Sequence, residues 1–587
     1  MPESSPAQLT LRGRAAVPGV AFGPIVIFQR GKNIVRKRKI TEDQIPSEIN
    51  RLEEAILKTQ QEIRRIHQKM KEATSQEDAA IFDAHLLFVD DAMIIENVKR
   101  RLREELLNID YIYHDVARQY AEQLAAMDDP YLKDRAADVT DVSGRVLAHL
   151  KGGSTGSQIS LEAPSIVVAN DLLLTDLAEL DRSLALGIAT EHGSSTSHVA
   201  IMARALNLPA VVGIRDLTQL VSNADYALID GHEGLLILHP TQQTLFEYGQ
   251  LEHRRRLFEE SLKTLRDLPA QSTDGHTIIL SGNIELPQEI PLLKEQGAEG
   301  IGLYRTEFLF LNHDRLPTEE EQFQVYKSVA AAVKPHTVIL RTLDIGGDKS
   351  IPIPRATVDA NPFLGWRGIR LALDCEDVFV TQLRAMARAA IEGNISIMFP
   401  MIADIQELRR AKKIWHTVLS DLQSQGLIDD RHIPCGMMME IPSAALMAEV
   451  FAPEVDFISI GTNDLVQYTL AVDRLNERVA NLYQPAHPAV LRLIKHIIEA
   501  AHAAKIWVGI CGEAAADIRL TPVFLGLGVD ELSMGSVSIP RVKKAIRSLS
   551  RETLRPLCDE WLKLSTAQQV LQQLEEIAQT YYPDLLV

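Results

Sequence analysis

The sequence predicts a multidomain α/β protein that ends in a TIM (β/α)8 barrel, and three observations support this fold class. Eight short apolar stretches follow one another after residue 272, with amphipathic helical segments between them. Strand-like stretches also occur in the first half of the chain, on both sides of a segment that shows only helical periodicity. The composition, with 46% hydrophobic residues among 587, is that of a globular chain with several cores.

The first half predicts an α/β domain that is interrupted by helices. Residues 11–28 carry glycine turns between apolar runs and predict two strands. From about Ser47 to Leu150 apolar residues recur at helical spacing, as Leu52, Ile56 and Ile63 do. After this segment the runs SIVVA, GIAT, AVVG and YALIDG predict further strands.

These changes of pattern define the expected domains. The run GGSTGS at residues 152–157 indicates a flexible break, and the charged stretch EYGQLEHRRRLFEESLKTLRD indicates a linker helix. We expect an α/β domain at 1–35 and 151–245, an inserted helical bundle at 36–150, a linker helix at 246–272 and the barrel at 273–587. The predicted barrel strands are TIILSGNI, GIGLYRTEF, TVILRTLDI, ISIMFPMI, CGMMMEI, FISIGTND, WVGICGE and ELSMG.

Composition excludes some classes of function. A formal net charge of -18 argues against nucleic-acid binding and suits a basic protein partner or small anions bound by local arginine clusters. The four cysteines form no CxxC pair and are expected to be free thiols in a reducing compartment. No apolar run reaches the roughly 20 residues of a membrane span, and the N-terminus lacks the apolar core of a signal peptide. We therefore expect a cytoplasmic protein.

Polar side chains follow the predicted barrel strands, where active sites of this fold lie. They are Arg305, Arg341, Asp344, Glu440, Asn463, Asp464 and Cys511. The carboxylates Glu440 and Asp464 can hold a hard cation such as Mg²⁺. Arg305, Arg341 and the slightly later Arg474 can bind phosphate or carboxylate groups. The set predicts a pocket for a small phosphorylated acid.

Two of these residues also have less specific interpretations. Arg474 could pair with Asp473 or Glu477 on a helix surface. Cys511, in GICGE, could be an inert buried thiol. Because no histidine occurs at these strand ends, the thiol is nevertheless the obvious proton donor of such a pocket.

A second candidate centre is the segment GSSTSHVAIMARALNLPAVVG. Thr196 and Ser197 are candidate N-caps of a helix whose first turn contains His198. Free N–H groups at a helix N-terminus favour a neutral, nucleophilic imidazole and would stabilise a phosphoryl group on it. A histidine at a cap is more often structural, and His192 is a competing candidate, so the residues alone leave this centre undecided.

Together these segments resemble Enzyme I of the bacterial phosphotransferase system, the phosphoenolpyruvate-protein phosphotransferase family, over essentially the whole chain. The shared motifs, in the family's order, are TSHxAIxAR, GIGLYRTEFLF, RTLDIGGDK, GMMMEIPSAAL, IGTNDLVQYTLAVDR and GICGE. The helical segments IFDAHLLFVDD and YLKDRAADVTDVSGRV are similar to the family's domain that docks the small carrier protein HPr.

The resemblance implies roles for the candidate residues. His198 would be the phosphorylated nucleophile, and Cys511 would protonate departing enolpyruvate to give pyruvate. Glu440 and Asp464 would bind Mg²⁺. Phosphoenolpyruvate would be held by Arg305, Arg341, Asn463, Asp464 and Arg474.

The resemblance also implies how the phosphoryl group leaves the protein. The α/β domain would be a swivelling phosphohistidine domain that carries the group from the barrel to a histidine of an HPr-type phosphocarrier protein. This transfer would be the first step of sugar uptake by the phosphotransferase system. A homodimer formed through the barrels is implied as well. Nitrogen-regulatory carriers use similar first enzymes, and the lack of an extra N-terminal sensory domain here favours the sugar branch.

Two positions depart from the family's pattern. The paired glycines expected before TSH are here Gly193 and Ser194, and Leu177 stands where a polar residue is expected. Both changes concern how the phosphohistidine is held and released, and neither removes the nucleophile, the metal ligands or the substrate arginines.

Two rival functions remain to be compared. Pyruvate phosphate dikinase and phosphoenolpyruvate synthase share the mobile domain and the barrel but also carry an ATP-binding domain, for which this chain has no room. A regulatory protein without turnover would have lost His198, Cys511, Glu440 or Asp464, and all four are present.

Overall fold

The computed structural model describes most of the chain as two compact units, Met1–Arg254 and Arg255–Val587. The described residues are 8–28, 35–73, 85–86, 88–125, 130–151, 161, 163–172, 176–177, 180–193, 198–206, 208–311, 315–346, 361–474, 476 and 478–586. No helix in these ranges is long and apolar enough to cross a membrane.

The first unit contains one eight-stranded sheet. Its strands are β1 Leu9–Arg12, β2 Arg14–Val17, β3 Val20–Phe28, β4 Ser165–Ala169, β5 Ala185–Thr190, β6 Ala210–Val212, β7 Tyr226–Asp230 and β8 Leu235–Leu238. Their order in the sheet is β1-β8-β7-β3-β4-β5-β6-β2, with β3 to β6 parallel and the other neighbours antiparallel. The two strands predicted within residues 11–28 correspond to β2 and β3. Strands β1 and β8, which pair with each other at one edge, were not predicted.

Between β3 and β4 the described residues give the bounds of four helices, in a segment where the periodicity predicted helices. They are α1 Ile45–Ala73, α2 Ala92–Glu105, α3 Ile109–Ala125 and α4 Pro130–Leu150. Leu52, Val98, Ile112 and Val146 are fully buried between them, which explains the apolar residues at every third or fourth position. Asp91 caps α2 by accepting hydrogen bonds from the backbone N–H groups of the first turn. The predicted break at residues 152–157 lies outside the described residues.

After β4 the described residues give the bounds of three more helices before the barrel: α5 His198–Ala205, α6 Leu217–Leu220 and α7 Gln242–Lys263. Helix α7 includes most of the stretch predicted as a linker helix, and the division between the two units falls within it, after Arg254.

The second unit is a closed barrel of eight parallel strands, as predicted. Its strands are β9 Ile279–Ile284, β10 Gly300–Arg305, β11 Thr337–Arg341, β12 Ile395–Phe399, β13 Cys435–Met439, β14 Phe457–Gly461, β15 Trp507–Cys511 and β16 Glu531–Met534. Each one lies within one of the eight predicted apolar stretches. The predicted fold class, a multidomain α/β protein with a helical insert and a C-terminal TIM barrel, is confirmed.

Helices surround the barrel and account for the amphipathic segments between strands. They are α8 Ile290–Glu295, α9 Phe308–Leu311, α10 Glu319–Val333, α11 Ile369–Asp374, α12 Glu376–Ala389, α13 Ile405–Ser424, α14 Pro442–Leu446, α15 Ala448–Phe451, α16 Thr462–Leu470, α17 Pro488–Ala503, α18 Glu513–Ala516, α19 Thr521–Leu527, α20 Ile539–Arg547, α21 Arg551–Trp561 and α22 Ala567–Tyr581. Their apolar faces and the outer faces of the strands form one large core. A smaller apolar layer, with Leu303, Ile339, Met398, Met438 and Phe457, fills the barrel interior next to Cys511.

Candidate active site

A cavity of about 150 Å³ lies where the barrel strands end. All eight of the barrel residues predicted from the sequence line it, namely Arg305, Arg341, Asp344, Glu440, Asn463, Asp464, Arg474 and Cys511. Parallel strands bring their carboxyl ends to the same rim, which is why residues from five strand ends meet here.

Two of the four arginines on the cavity wall are buried. Arg341, at the end of β11, donates to Glu307 at 2.9 Å and lies 3.1 Å from Asp344. Burial opposes the charge of Arg341, but Glu307, Asp344 and Glu440 outweigh that effect and raise its pKa. Arg367 donates to both oxygens of Asp344 at 3.1 Å.

The same two arginines have spare donors. Arg367 also lies 3.4 Å from Asp464, and its pKa is raised against the effect of burial by Asp344 and Asp464. The Nε atoms of Arg341 and Arg367 are buried and have no hydrogen-bond partner among the described residues. Buried donors without partners are rare in folded proteins, so these fit an anionic ligand that enters the cavity.

Sequence reasoning missed two residues of this network. Glu307 follows Arg305 by two positions, in YRTEF, and the strand-end rule extended past the first polar residue would have included it. Arg367 follows no strand, because it lies in the long connection between β11 and α11. Its only local signal is its position between glycines in GWRG, which is weak.

Arg305 and Arg474 are more exposed and lie at the mouth of the cavity. Arg305 forms an ion pair with Glu285 at 2.6 Å, and Arg474 forms one with Glu513 at 3.0 Å. The partner of Arg474 described here comes from α18, whereas the alternative interpretation named Asp473 and Glu477, of which Glu477 lies outside the described residues. Exposed ion pairs are weak, so a doubly charged ligand can compete for both arginines.

Three carboxylates line the cavity, and two of them, Glu440 and Asp464, are the pair predicted to hold a cation. Glu440 is fully buried and accepts a hydrogen bond from the Met401 N–H at 2.7 Å. Burial and the nearby Asp464 and Asp344 raise the pKa of Glu440 to about 8. A carboxylate that is destabilised by burial and by a second carboxylate gains most from a cation, so this donor set fits a divalent metal ion with oxygen ligands.

The loops around these carboxylates depend on two glycines. A Cβ on Gly461 would lie 2.5 Å from Oε2 of Glu440, and a Cβ on Gly512 would lie 2.7 Å from Oδ1 of Asn463. Gly512 also has φ of +107°, a value that L side chains rarely adopt. The amide of Asn463 is held by the Glu513 N–H at 3.0 Å, which orients it at the rim.

Cys511 ends β15 and is almost fully buried at the cavity wall. Burial raises the pKa of its thiol to about 11, and Arg341 and Arg305 only partly oppose this effect. The group is therefore a neutral thiol near pH 7, which can donate a proton but is not a thiolate nucleophile.

The second predicted centre lies in the first unit. The backbone places His198 at the first position of α5, while Thr196, Ser197 and Ser194 lie outside the described residues. The inner face of α5 is buried through Val199 and Met202, as an amphipathic helix requires. Leu177, the second departure from the family's pattern, is fully buried in the core that includes the helical insert.

Three family descriptions match successive parts of the chain. "PEP-utilising enzyme, N-terminal" matches residues 12–135, "PEP-utilising enzyme, mobile domain" matches 161–234, and "PEP-utilising enzyme, PEP-binding domain" matches 259–551.

The chain is also similar to curated proteins over nearly its whole length. The phosphoenolpyruvate-protein phosphotransferase of Staphylococcus carnosus (strain TM300) is 41% identical over 568 residues, which are 96% of this chain and 98% of that protein. The proteins of the same name from Geobacillus stearothermophilus and Haemophilus influenzae are 43% and 41% identical, cover 96% of this chain, and are themselves covered to 97% and 98%. The chain belongs to the phosphoenolpyruvate-protein phosphotransferase family.

Family membership confirms the predicted resemblance and the predicted enzyme class, a transferase that uses phosphoenolpyruvate. The agreement over full length also decides between the rival functions, because these relatives are phosphotransferases to protein and the chain aligns with them from end to end.

Proposed function

We propose that the chain transfers the phosphoryl group of phosphoenolpyruvate to its own His198 and then to a histidine of an HPr-type phosphocarrier protein, with release of pyruvate. The reaction would be the first step of sugar uptake by the phosphotransferase system and would take place in the cytoplasm. The observation that carries the proposal is one cavity in which two buried arginines, three carboxylates and a neutral thiol meet.

The charges of the cavity suit phosphoenolpyruvate. Arg341 and Arg367, with buried donors to spare, would hold its phosphate or carboxylate in a dry environment. Arg305 and Arg474 would exchange their acidic partners for the ligand at the mouth, and Asn463 and Asp464 would complete the binding site. Because Arg341 and Arg367 are held in place before substrate arrives, these two residues need little reorganisation during the transfer.

A divalent cation, which we propose to be Mg²⁺, would be held by Glu440 and Asp464 and would neutralise charge on the phosphoryl oxygens. The remaining chemistry belongs to the chain's own residues. A ring nitrogen of His198 forms the new bond to phosphorus while the bond from phosphorus to the enolpyruvate oxygen breaks. The Cys511 thiol gives its proton to the methylene carbon of enolpyruvate, which becomes pyruvate.

Delivery to the carrier would use the first unit. The α/β domain with α5 would swivel between the barrel and the carrier, with α7 as the linker, and the inserted helices α1 to α4 would dock the carrier protein. We propose a homodimer formed through the barrels.

The test is incubation of the full chain with labelled phosphoenolpyruvate and Mg²⁺ in the absence of any nucleotide, followed by mapping of acid-labile label. We expect label on His198 and release of pyruvate in the wild type, and neither in His198→Ala. His192→Ala is the matched control, because His192 is the competing histidine of the same segment, and this variant should be labelled normally. A folded wild-type protein that takes up no label would overturn the proposal.

Addition of purified carriers then tests the acceptor. Label should move from His198 to an HPr-type sugar carrier faster than to a carrier of the nitrogen-regulatory branch. The opposite preference would place the protein in the regulatory branch and leave the first half of the reaction intact.

A further inference from the structure

The interior of the barrel below the cavity contains polar and small residues where large branched side chains are usual. Ser459, Gly509 and Glu531 lie side by side in one row on β14, β15 and β16, since Ser459 pairs with Gly509 and Gly509 pairs with Glu531. All three are buried. Cys511 lies two residues beyond Gly509 and therefore faces the same side of β15.

The carboxylate of Glu531 occupies space that two glycines leave open. A Cβ on Gly509 would lie 3.1 Å from Oε2 of Glu531, and a Cβ on Gly302 would lie 2.9 Å from Oε1. Gly302 belongs to β10, two strands from β16 in the barrel, so the carboxylate reaches into the barrel interior. Ser281 of β9 bonds to it through its hydroxyl, and no lysine, arginine or histidine forms an ion pair with it in the described part of the chain.

The other end of the row reaches the cavity. The Cys511 thiol bonds to the Ser459 hydroxyl and also lies 3.6 Å from the carbonyl oxygen of Ile460. Ser459 is thus next to Cys511 on one side and next to Gly509, whose missing side chain makes room for Glu531, on the other.

We propose that Glu531 returns a proton to Cys511 through the Ser459 hydroxyl after each turnover. The inference rests on the proposed function, in which Cys511 protonates enolpyruvate. The thiol proton goes to the methylene carbon and leaves a thiolate. The thiolate takes the hydroxyl proton of Ser459, Ser459 takes the carboxyl proton of Glu531, and the Glu531 carboxylate regains a proton from water. Glu531 touches no substrate and is a positioning residue for this proton.

The acidities give the transfer its direction. Burial raises the pKa of Glu531 to about 7, and burial raises that of Cys511 to about 11, so a proton moves downhill from carboxyl to thiolate. Ser281, Gly302 and Gly509, which face Glu531 from the neighbouring strands, do not titrate. The charged groups that act on Cys511 are Glu440, Arg341 and Arg305. If the proton returns before pyruvate leaves, the Cys511 thiolate is no longer present as a base that could take a proton back from pyruvate.

The test compares one turnover with many in Glu531→Gln, which keeps the shape of the side chain but has no acidic proton. One turnover is phosphorylation of His198 by excess phosphoenolpyruvate without carrier, and many turnovers need the carrier as acceptor. We expect the single-turnover rate to stay within about twofold, because Cys511 starts with its proton, and the steady-state rate to fall about tenfold or more. In the wild type the ratio of the steady-state rate to the single-turnover rate should fall as pH rises above about 7, because Glu531 then loses its proton. In Glu531→Gln this ratio should be low at every pH.

Two further variants separate a proton path from a structural role. Ser459→Ala interrupts the path and should lower the steady-state rate in the same way. Glu299→Gln is the matched control, because Glu299 is a partly buried carboxyl with a raised pKa that faces Lys543 and does not line the cavity, and its rates should be unchanged.

An infrared spectrum of the wild type gives a measurement that does not depend on turnover. The band of protonated carboxyl groups should be present near pH 7, lose intensity at higher pH and be weaker in Glu531→Gln, where Glu440 still contributes to it. The inference would be overturned, while the proposed function stands, if the ratio of steady-state to single-turnover rate is the same in wild type and Glu531→Gln. A band of equal intensity in the two proteins near pH 7 would overturn it as well. A wild type without any turnover would instead overturn the proposed function, and this inference with it.

Discussion

Arg367 neutralises two carboxylates of the cavity at once, Asp344 and Asp464. Arg367→Ala would leave both facing Glu440 without that charge and would remove donors that we assign to the substrate. We expect kcat/KM for phosphoenolpyruvate to fall roughly 30-fold, equivalent to about 2 kcal/mol, as is typical for hydrogen bonds to charged groups. The rate of pyruvate release at varied phosphoenolpyruvate concentration, with the carrier as acceptor, measures this kcat/KM.

Arg370→Ala is the control for Arg367→Ala. Arg370 lies three residues later on α11, pairs with Glu407 at 3.6 Å and does not line the cavity. Its kcat/KM should stay within about twofold of wild type, because surface ion pairs contribute little. A folded Arg367→Ala protein with wild-type kcat/KM would show that Arg367 only supports the structure.

Cys511 offers a test of the proton donor. In Cys511→Ser the thiol, with its pKa of about 11, is replaced by a hydroxyl that is a much weaker acid. We expect pyruvate formation to slow by roughly 100-fold or more, the usual contribution of a positioned acid. Cys375→Ser, which changes a cysteine that does not line the cavity, is the control and should keep the wild-type rate. Normal pyruvate formation by Cys511→Ser would assign the proton to another group.

At the residue scale, the sequence predicted those site residues whose position follows from a general property of the barrel fold. Strand ends of a barrel converge, so Glu440, Asn463 and Cys511 could be grouped although they are far apart in the chain. Arg367 was not predicted as a site residue, because it lies in a long connection between β11 and α11 that has no periodic sequence pattern. His198 could be placed at the start of a helix, but its chemistry depends on surroundings that a periodic pattern does not contain.

At the scale of elements, the connection from β15 to α18 depends on Gly512. A Cβ there would lie 2.7 Å from both Asn463 Oδ1 and Thr462 Oγ1, and its φ is +107°. We expect Gly512→Ala to destabilise the barrel by about 1–3 kcal/mol and to raise KM for phosphoenolpyruvate, because Asn463 must move. Denaturant unfolding and steady-state kinetics measure the two effects.

Gly535→Ala is the matched control for this change. Gly535 follows β16 at the same rim, and nothing lies within 4 Å of the position that its Cβ would take. We expect its stability to change by less than about 0.5 kcal/mol. If both alanine variants behave like wild type, the conformation of Gly512 is not a constraint on the site.

The elements that the sequence predicted best are those with the most uniform burial. Barrel strands such as β12 and β13 are buried at every position, and parallel strands covered on both faces appear as continuous apolar runs. Strand β1 has mostly exposed residues and pairs only with β8 at a sheet edge, so its short LTLR sequence has no clear pattern. Strand β8 follows β7 after a short turn, and this hairpin was not separated from the predicted YALIDG strand.

At the scale of the whole molecule, the two units can be followed separately. All four tryptophans, Trp366, Trp415, Trp507 and Trp561, belong to the second unit, so tryptophan fluorescence reports the unfolding of the barrel alone. This separation matters because a chain with two units does not have one well-defined unfolding free energy.

Glu531 should make barrel stability depend on pH. Its pKa in the folded barrel is raised from 4.5 to about 7 by burial, so the folded state binds the proton more tightly than the unfolded chain does. The contribution of Glu531 to the free energy of unfolding should therefore be highest below pH 4.5, fall between pH 4.5 and 7, and level off above, with a total loss of about 3 kcal/mol. Glu440, whose pKa is also raised, adds a loss of the same sign, so the difference between wild type and Glu531→Gln isolates the contribution of Glu531. Denaturant unfolding followed by tryptophan fluorescence measures the loss.

Glu531→Gln removes this loss because an amide stays neutral. We expect the variant barrel to be more stable than wild type at pH 8 and to differ less from it at pH 5, whereas the exposed Glu560→Gln should follow wild type at both values. A variant that is less stable than wild type at pH 8 would show that the carboxylate is held by favourable contacts in the barrel. If Glu531→Gln is more stable than wild type and also turns over more slowly, the buried carboxyl group lowers the free energy of unfolding but is needed for turnover. Natural proteins keep destabilising groups where activity needs them.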